Sequence, residues 1–112
     1  MVVVARSSPF GSQTRTRVLL ALELLGDAYP RELARALGSQ LSAVQRALLS
    51  LERDGLVAGR TLGRIRLYRL DPTYLAVPEL RRLLRRLART DEALQSSLAG
   101  LRRRPRRTGK RI

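Results

Sequence analysis

Cysteine, histidine and tryptophan are all missing from this 112-residue chain. Without cysteine no disulfide can form. Without cysteine or histidine there is no thiolate or imidazole to hold a transition metal. A site built only of carboxylates needs clustered acids, and the nine acidic residues show no such spacing, so no metal is expected. The same gaps remove the usual acids, bases and nucleophiles of catalysis. The closest carboxylate pair is Asp91-Glu92, and adjacent residues on a helix point in different directions. The expectation is a protein that is not an enzyme and needs no cofactor. Aromatics are scarce: Phe10, Tyr29, Tyr68 and Tyr74 are the only four, so the core must be mostly Leu, Val and Ala. That scarcity also argues against a stacked aromatic platform for single-stranded RNA. Long hydrophobic runs are absent. The three valines after Met1 are too short for a signal-peptide core, and nothing approaches the length of a transmembrane helix. A soluble, cytoplasmic, nucleoid-associated protein with no membrane partner is expected.

What the chain has in excess is positive charge. Its 23 basic and 9 acidic residues give a net charge of +14. Residues 12–74 carry 10 basic and 6 acidic side chains, whereas residues 75–112 carry 12 and 3. Such charge must meet something negative, with nucleic acid the first candidate and a membrane surface the second. Lys110 is the single lysine among 22 arginines. Arginine grips phosphate and guanine with two parallel bonds, which lysine cannot copy. Codon usage in a GC-rich genome would give the same bias. The length suits one domain with appendages, small enough that burying more surface in an oligomer would help it.

Periodicity divides the chain. Residues 1–11 read as a flexible N-terminal arm. Ser12 is a fair N-cap for a helix over 13–25, with Val18, Leu22 and Leu25 on one stripe and Gly26 as its stop. Pro30 opens a short helix over 30–37 that carries Leu33, Ala34 and Leu37 inward. A tight turn, Gly38-Ser39-Gln40, leads to a third helix over 41–54, with Val44, Ala47, Leu48 and Leu51 as its buried stripe. Two β-like runs follow, 56–58 and 65–70, around a basic loop, Gly59 to Arg64. Pro78 opens a fourth helix. Leu80, Leu84, Leu87, Leu94, Leu98 and Leu101 then alternate by four and three with Asp91 as the one polar intruder, which is a heptad seam suited to dimerisation. Two other readings stay open there: a cap at Thr90-Asp91 between shorter helices, or a helix folding back on its own domain. Residues 102–112, with seven basic and no acidic side chains, read as a disordered basic tail.

Helix, short helix, tight turn, helix and basic hairpin is the order of a winged helix-turn-helix. The expected fold is therefore mainly α with a small β-hairpin: a winged helix-turn-helix over 12–75, followed by C-terminal helices over 76–101 that serve dimerisation. Two helices joined by a three-residue turn pack steeply, so the second can enter the DNA major groove while the first crosses the backbone.

The residues also carry a family resemblance. The stretches Pro30 to Gly38 (PRELARALG), Ser42 to Arg46 (SAVQR), Leu48 to Leu56 (LLSLERDGL) and Gly63 to Asp71 (GRIRLYRLD) resemble an ArsR-type winged-helix regulator over roughly residues 10–75. Phe10 to Arg15 resembles the opening of that domain. Pro78-Glu79-Leu80-Arg81 is similar to a subgroup in which the domain precedes a nucleotidyltransferase, but the paired-aspartate motif of that enzyme, Asp-x-Asp, occurs nowhere in the chain. The resemblance implies a homodimeric regulator, often a repressor, whose third helix reads double-stranded DNA. By position, Arg31, Ser39, Gln40, Ser42, Ala43, Gln45, Arg46 and Ser50 would meet DNA from the helices. Arg60, Thr61, Arg64 and Arg66 would meet it from the wing, with Arg60 and Arg64 at the hairpin tip. Arg46 can pair with guanine and Gln45 with adenine. Family members that sense metals use Cys, His and acidic ligands, which makes metal sensing unexpected here. The competing reading is a nonspecific nucleic-acid-binding protein, DNA-compacting or RNA-associated, driven by the charge and the tail.

Overall fold

Ser12 caps the first helix as its side chain suggests. Its Oγ accepts the Arg15 N–H at 3.0 Å, satisfying one of the donors that a helix start leaves open. The computed structural model of the chain, which describes residues 9–102, continues from there as α1 (Gln13–Leu25), β1 (Asp27–Ala28), α2 (Pro30–Leu37), α3 (Leu41–Arg53), β2 (Val57–Leu62), β3 (Ile65–Leu70), α4 (Val77–Ala88) and α5 (Glu92–Arg102). The architecture is mainly helical with one small sheet and C-terminal helices, as the periodicity suggests. Among the described residues no helix is long and apolar enough to cross a membrane.

The helix α1 is the axle of the fold. Val18, Leu19, Leu20, Ala21 and Leu22 are all buried, so its middle is covered on every side rather than along one stripe. A helix apolar all round belongs in the centre of a domain. Here α1 touches α2, α3, α4, α5 and the sheet. The core is aliphatic apart from Tyr68, with Leu19, Leu22, Leu33, Leu48, Leu51, Leu84, Leu94 and Leu98 its largest fully buried side chains.

The sheet is larger than the hairpin that the sequence suggests. It has three antiparallel strands in the order β1-β3-β2. Asp27 and Ala28, read from sequence as a connector, pair with Arg69 and Tyr68. Two residues are too few for alternation to show, so this strand exists only because β3 presents an edge to it. The hairpin is also longer and tighter. Leu62 pairs with Ile65, leaving Gly63-Arg64 as a two-residue turn. Arg60 and Thr61 therefore sit within β2, and only Arg64 is at the tip. The N-terminal boundary shifts as well, since Phe10 packs against the core and its carbonyl accepts the Arg15 Nε–H at 2.6 Å. Residues 1–8 of the expected arm lie outside the described residues.

The leucine seam is corrected by the packing. The helix does not run through: Asp91 Oδ1 accepts the Leu94 N–H at 3.0 Å and starts α5 as a separate helix. Leu80, Leu84, Leu94 and Leu98 are buried in the domain's own core, and Leu87 packs against it. The chain turns back between Ala88 and Glu92, so α5 lies on α1 and α2. Among the described residues these four leucines face the chain's own core. The side chain of Leu101 and the basic tail beyond Arg102 lie outside the described residues. Arg81 and Arg85 of α4 reach Glu23 of α1 at 3.9 and 2.8 Å.

Candidate nucleic-acid interface

The short helix α2 is shaped at both ends. Pro30 takes the first turn, where its missing N–H costs nothing, and Glu32 Oε1 accepts the Tyr29 N–H at 2.8 Å. At the other end Gly38 adopts φ 64°. Its N–H reaches the Arg35 carbonyl and the Ser39 N–H reaches the Ala34 carbonyl at 3.0 Å. This is the Schellman arrangement, and it needs a left-handed residue that only glycine supplies cheaply. The chain thereby reverses within Gly38-Ser39-Gln40 and enters α3 with no side-chain cap of its own.

The helix α3 then sorts its residues by face. Val44, Ala47, Leu48 and Leu51 are buried. Ser42, Gln45, Arg46, Leu49 and Arg53 are exposed, at spacings of three and four that place them along one outward stripe. Gln40 and Arg31 are exposed beside its start, while Ser39, Leu41 and Ala43 are half-buried. Ser42, Gln45 and Arg46 thus share the outward face, as the sequence reading expects.

Two expected contacts have other partners. Ser50 is half-buried, and its Oγ accepts a short hydrogen bond from the Arg15 guanidinium, which also pairs with Asp54 at 2.9 Å. Ser50 therefore sits where α3 is tied to α1, off the outward stripe. Arg66 is held from three sides. Its guanidinium donates to Glu52 at 2.7 Å and to Thr61 Oγ1 at 3.0 Å, and lies 5.6 Å from the Tyr68 ring centre. The hydrogen bond to Glu52, followed by the Glu52 charge, raises the Arg66 pKa above its ordinary value, so the cation is secure. Gly59 makes this possible, because a Cβ there would lie 2.5 Å from the Arg66 Nε. Arg66 is thus a brace between the wing and α3, whereas Arg60, Arg64 and Arg69 of the wing are exposed.

Leu49 and Ile65, which are 57% and 45% exposed, are not among the site residues that the sequence suggests. With Tyr29, Leu41 and Tyr68 they line an open groove of about 620 Å³ between α3, the start of α2 and the wing, and Arg31, Arg64 and Arg66 are on its rim. Leu49 fits an apolar helix repeat badly, and that misfit was the available signal. Among the described residues no three acidic side chains gather as a metal would require.

Known structures share this geometry. HlyU in its reduced form, from Vibrio cholerae N16961, matches with a TM-score of 0.56 and 29% identity over 75% of this chain and 80% of its own. The antimony-specific transcriptional repressor AntR matches with a TM-score of 0.58 and 28% identity over 76% of this chain and 73% of its own. This chain shares the winged-helix fold of these two regulators. The adhesin competence repressor AdcR from Streptococcus pyogenes aligns over 92% of this chain and 75% of its own, with a TM-score of 0.58. At 19% identity that last likeness is one of fold alone. No protein-family model matches this chain. No curated protein matches it either.

Proposed function

We propose that this chain is a sequence-specific double-stranded DNA-binding transcriptional regulator, acting as a dimeric repressor, with α3 in the major groove and the wing on the neighbouring backbone or minor groove. The observation that carries this reading is the outward stripe of α3. Ser42, Gln45 and Arg46 project from a helix whose other face is buried, next to a wing that exposes Arg60 and Arg64. Gln45 and Arg46 have the geometry for adenine and guanine edges, and the wing arginines that for phosphate. Ser39 and Gln40, at the start of α3, suit a phosphate near the helix N-terminus. One of the structural neighbours, AntR, is named as a transcriptional repressor, which supports the regulatory role. The antimony specificity of AntR does not carry over, because soft metalloids seek thiolates and this chain has no cysteine.

The test is fluorescence anisotropy with the full chain, comparing random duplex with duplex enriched from a randomised pool, over a salt series. A regulator binds the enriched sites at least about a hundredfold tighter, with a two-fold symmetric consensus if it is dimeric. The net charge of +14 favours a second reading, a nonspecific polyanion binder. That reading gains if no sequence enriches and affinity collapses steeply with salt.

A further inference from the structure

The proposed DNA contacts leave one part of the reading face unexplained. A leucine more than half exposed, on a helix whose other apolar residues are buried or half-buried, breaks the inside-outside sorting that the rest of α3 obeys. Leu49 stands one helical turn beyond Gln45 and three residues beyond Arg46, on the same outward stripe. It forms part of the groove between α3 and the wing, with Ile65 as another apolar exposed member of the lining.

The chemistry of that groove selects an occupant. Its exposed lining is mostly apolar surface, but it includes three arginines, Arg31, Arg64 and Arg66, beside Gln45, with Glu32 as the single acid. One Glu32 oxygen is already occupied by the Tyr29 N–H. A ligand that matches must carry negative charge along its edge and apolar groups beside that charge. Duplex DNA has that pattern in the major groove of A·T pairs. There the thymine C5-methyl, the one apolar group on any base edge of the groove, joins two polyanionic strands. We propose that Leu49 is a specificity-determining residue that packs on a thymine methyl, and that the operator half-site therefore holds a thymine beside the bases met by Gln45 and Arg46. This proposal rests on the DNA-binding reading above.

Deoxyuridine tests it directly, because it removes the methyl and leaves every hydrogen-bonding group of thymine in place. Each thymine of an enriched duplex is replaced in turn, and binding is read by anisotropy for the wild type, Leu49→Ala and Arg46→Ala. Burying one methyl is worth about fourfold in affinity, so one position per half-site should lose about that factor with the wild-type protein. Leu49→Ala should bind thymine and deoxyuridine duplexes equally, while Arg46→Ala should still tell them apart. Helicity by circular dichroism checks that Leu49→Ala is folded, which its exposure predicts. The proposal is overturned if no deoxyuridine lowers wild-type affinity, or if Leu49→Ala keeps the discrimination. It is also overturned if Leu49→Ala abolishes self-association in sedimentation while discrimination persists, since a second copy would then fill the groove. In all three of those results the protein still binds its enriched site. Failure to enrich any duplex would instead overturn the DNA-binding reading and this proposal together.

Discussion

Leu98→Ala separates the two roles open to the C-terminal leucines. Leu98 is completely buried in the described chain, in a cluster that joins α5 to α1, α2 and α4. Truncating a fully buried leucine loses its transfer free energy and leaves a cavity, together about 3–5 kcal/mol. A domain of this size holds roughly 5–15 kcal/mol in all, so the variant should keep its fold with a much reduced margin. Each kcal/mol moves the melting temperature of a domain near this length by about 4–8 °C, so a fall of at least about 12 °C is expected. Urea unfolding followed by circular dichroism gives the free energy, repeated over a wide range of protein concentration. Because Leu98 acts within one chain, the loss should be the same at every concentration, and Leu83→Ala on the exposed side of α4 should lose less than about 1 kcal/mol. A Leu98→Ala loss below about 1 kcal/mol, or one that vanishes as concentration rises, would refute the intramolecular packing of α5 and restore the seam as a dimer contact.

Other outcomes follow from single residues. Arg46→Ala should relax base preference at one or two positions of an enriched site and cost about 1–3 kcal/mol of discrimination there, read by competition binding. Arg64→Ala should weaken binding to all duplexes alike and lower the logarithmic salt slope by about 0.9 for each phosphate that Arg64 neutralises. Gly38→Ala places a side chain at φ 64° and should cost about 1–2 kcal/mol in thermal unfolding. Gly59→Ala should displace the flexible Arg66 guanidinium from Glu52 at a cost below about 1 kcal/mol. The same substitution in an Arg66→Ala background should cost less. Asp71 is held below the ordinary aspartate range by the Thr73 backbone N–H first and the Thr73 hydroxyl second. A carboxylate with a lowered folded pKa stabilises the fold above its unfolded value and ceases to do so as pH falls through the folded one. Acid unfolding of Asp71→Asn should therefore depend less on pH below about 4 than that of the wild type.

Much of this protein was legible in its order of residues. Ser12, Gly26, Pro30 and Gly38 are local signals, each acting on the few residues beside it. The three helices they bound fall where the sequence puts them, to within a residue. The outward face of α3 is legible for the same reason: α3 buries Val44, Ala47, Leu48 and Leu51 by its own periodicity, which leaves Gln45 and Arg46 outside whatever packs against them. Composition alone removed thiolate and imidazole chemistry. Tertiary structure decided what depends on partners far along the chain. A leucine seam looks the same whether its stripe meets a second chain or its own α1, and only the reversal at Asp91 chose the second. The strand at Asp27 needed the edge of β3, and the role of Ser50 needed Arg15, 35 residues away. Arg66 became a brace because Glu52 and Tyr68 converge on it across the gap that Gly59 leaves. Periodicity assigns a residue to a face, but what covers that face is settled by the packing of the whole chain.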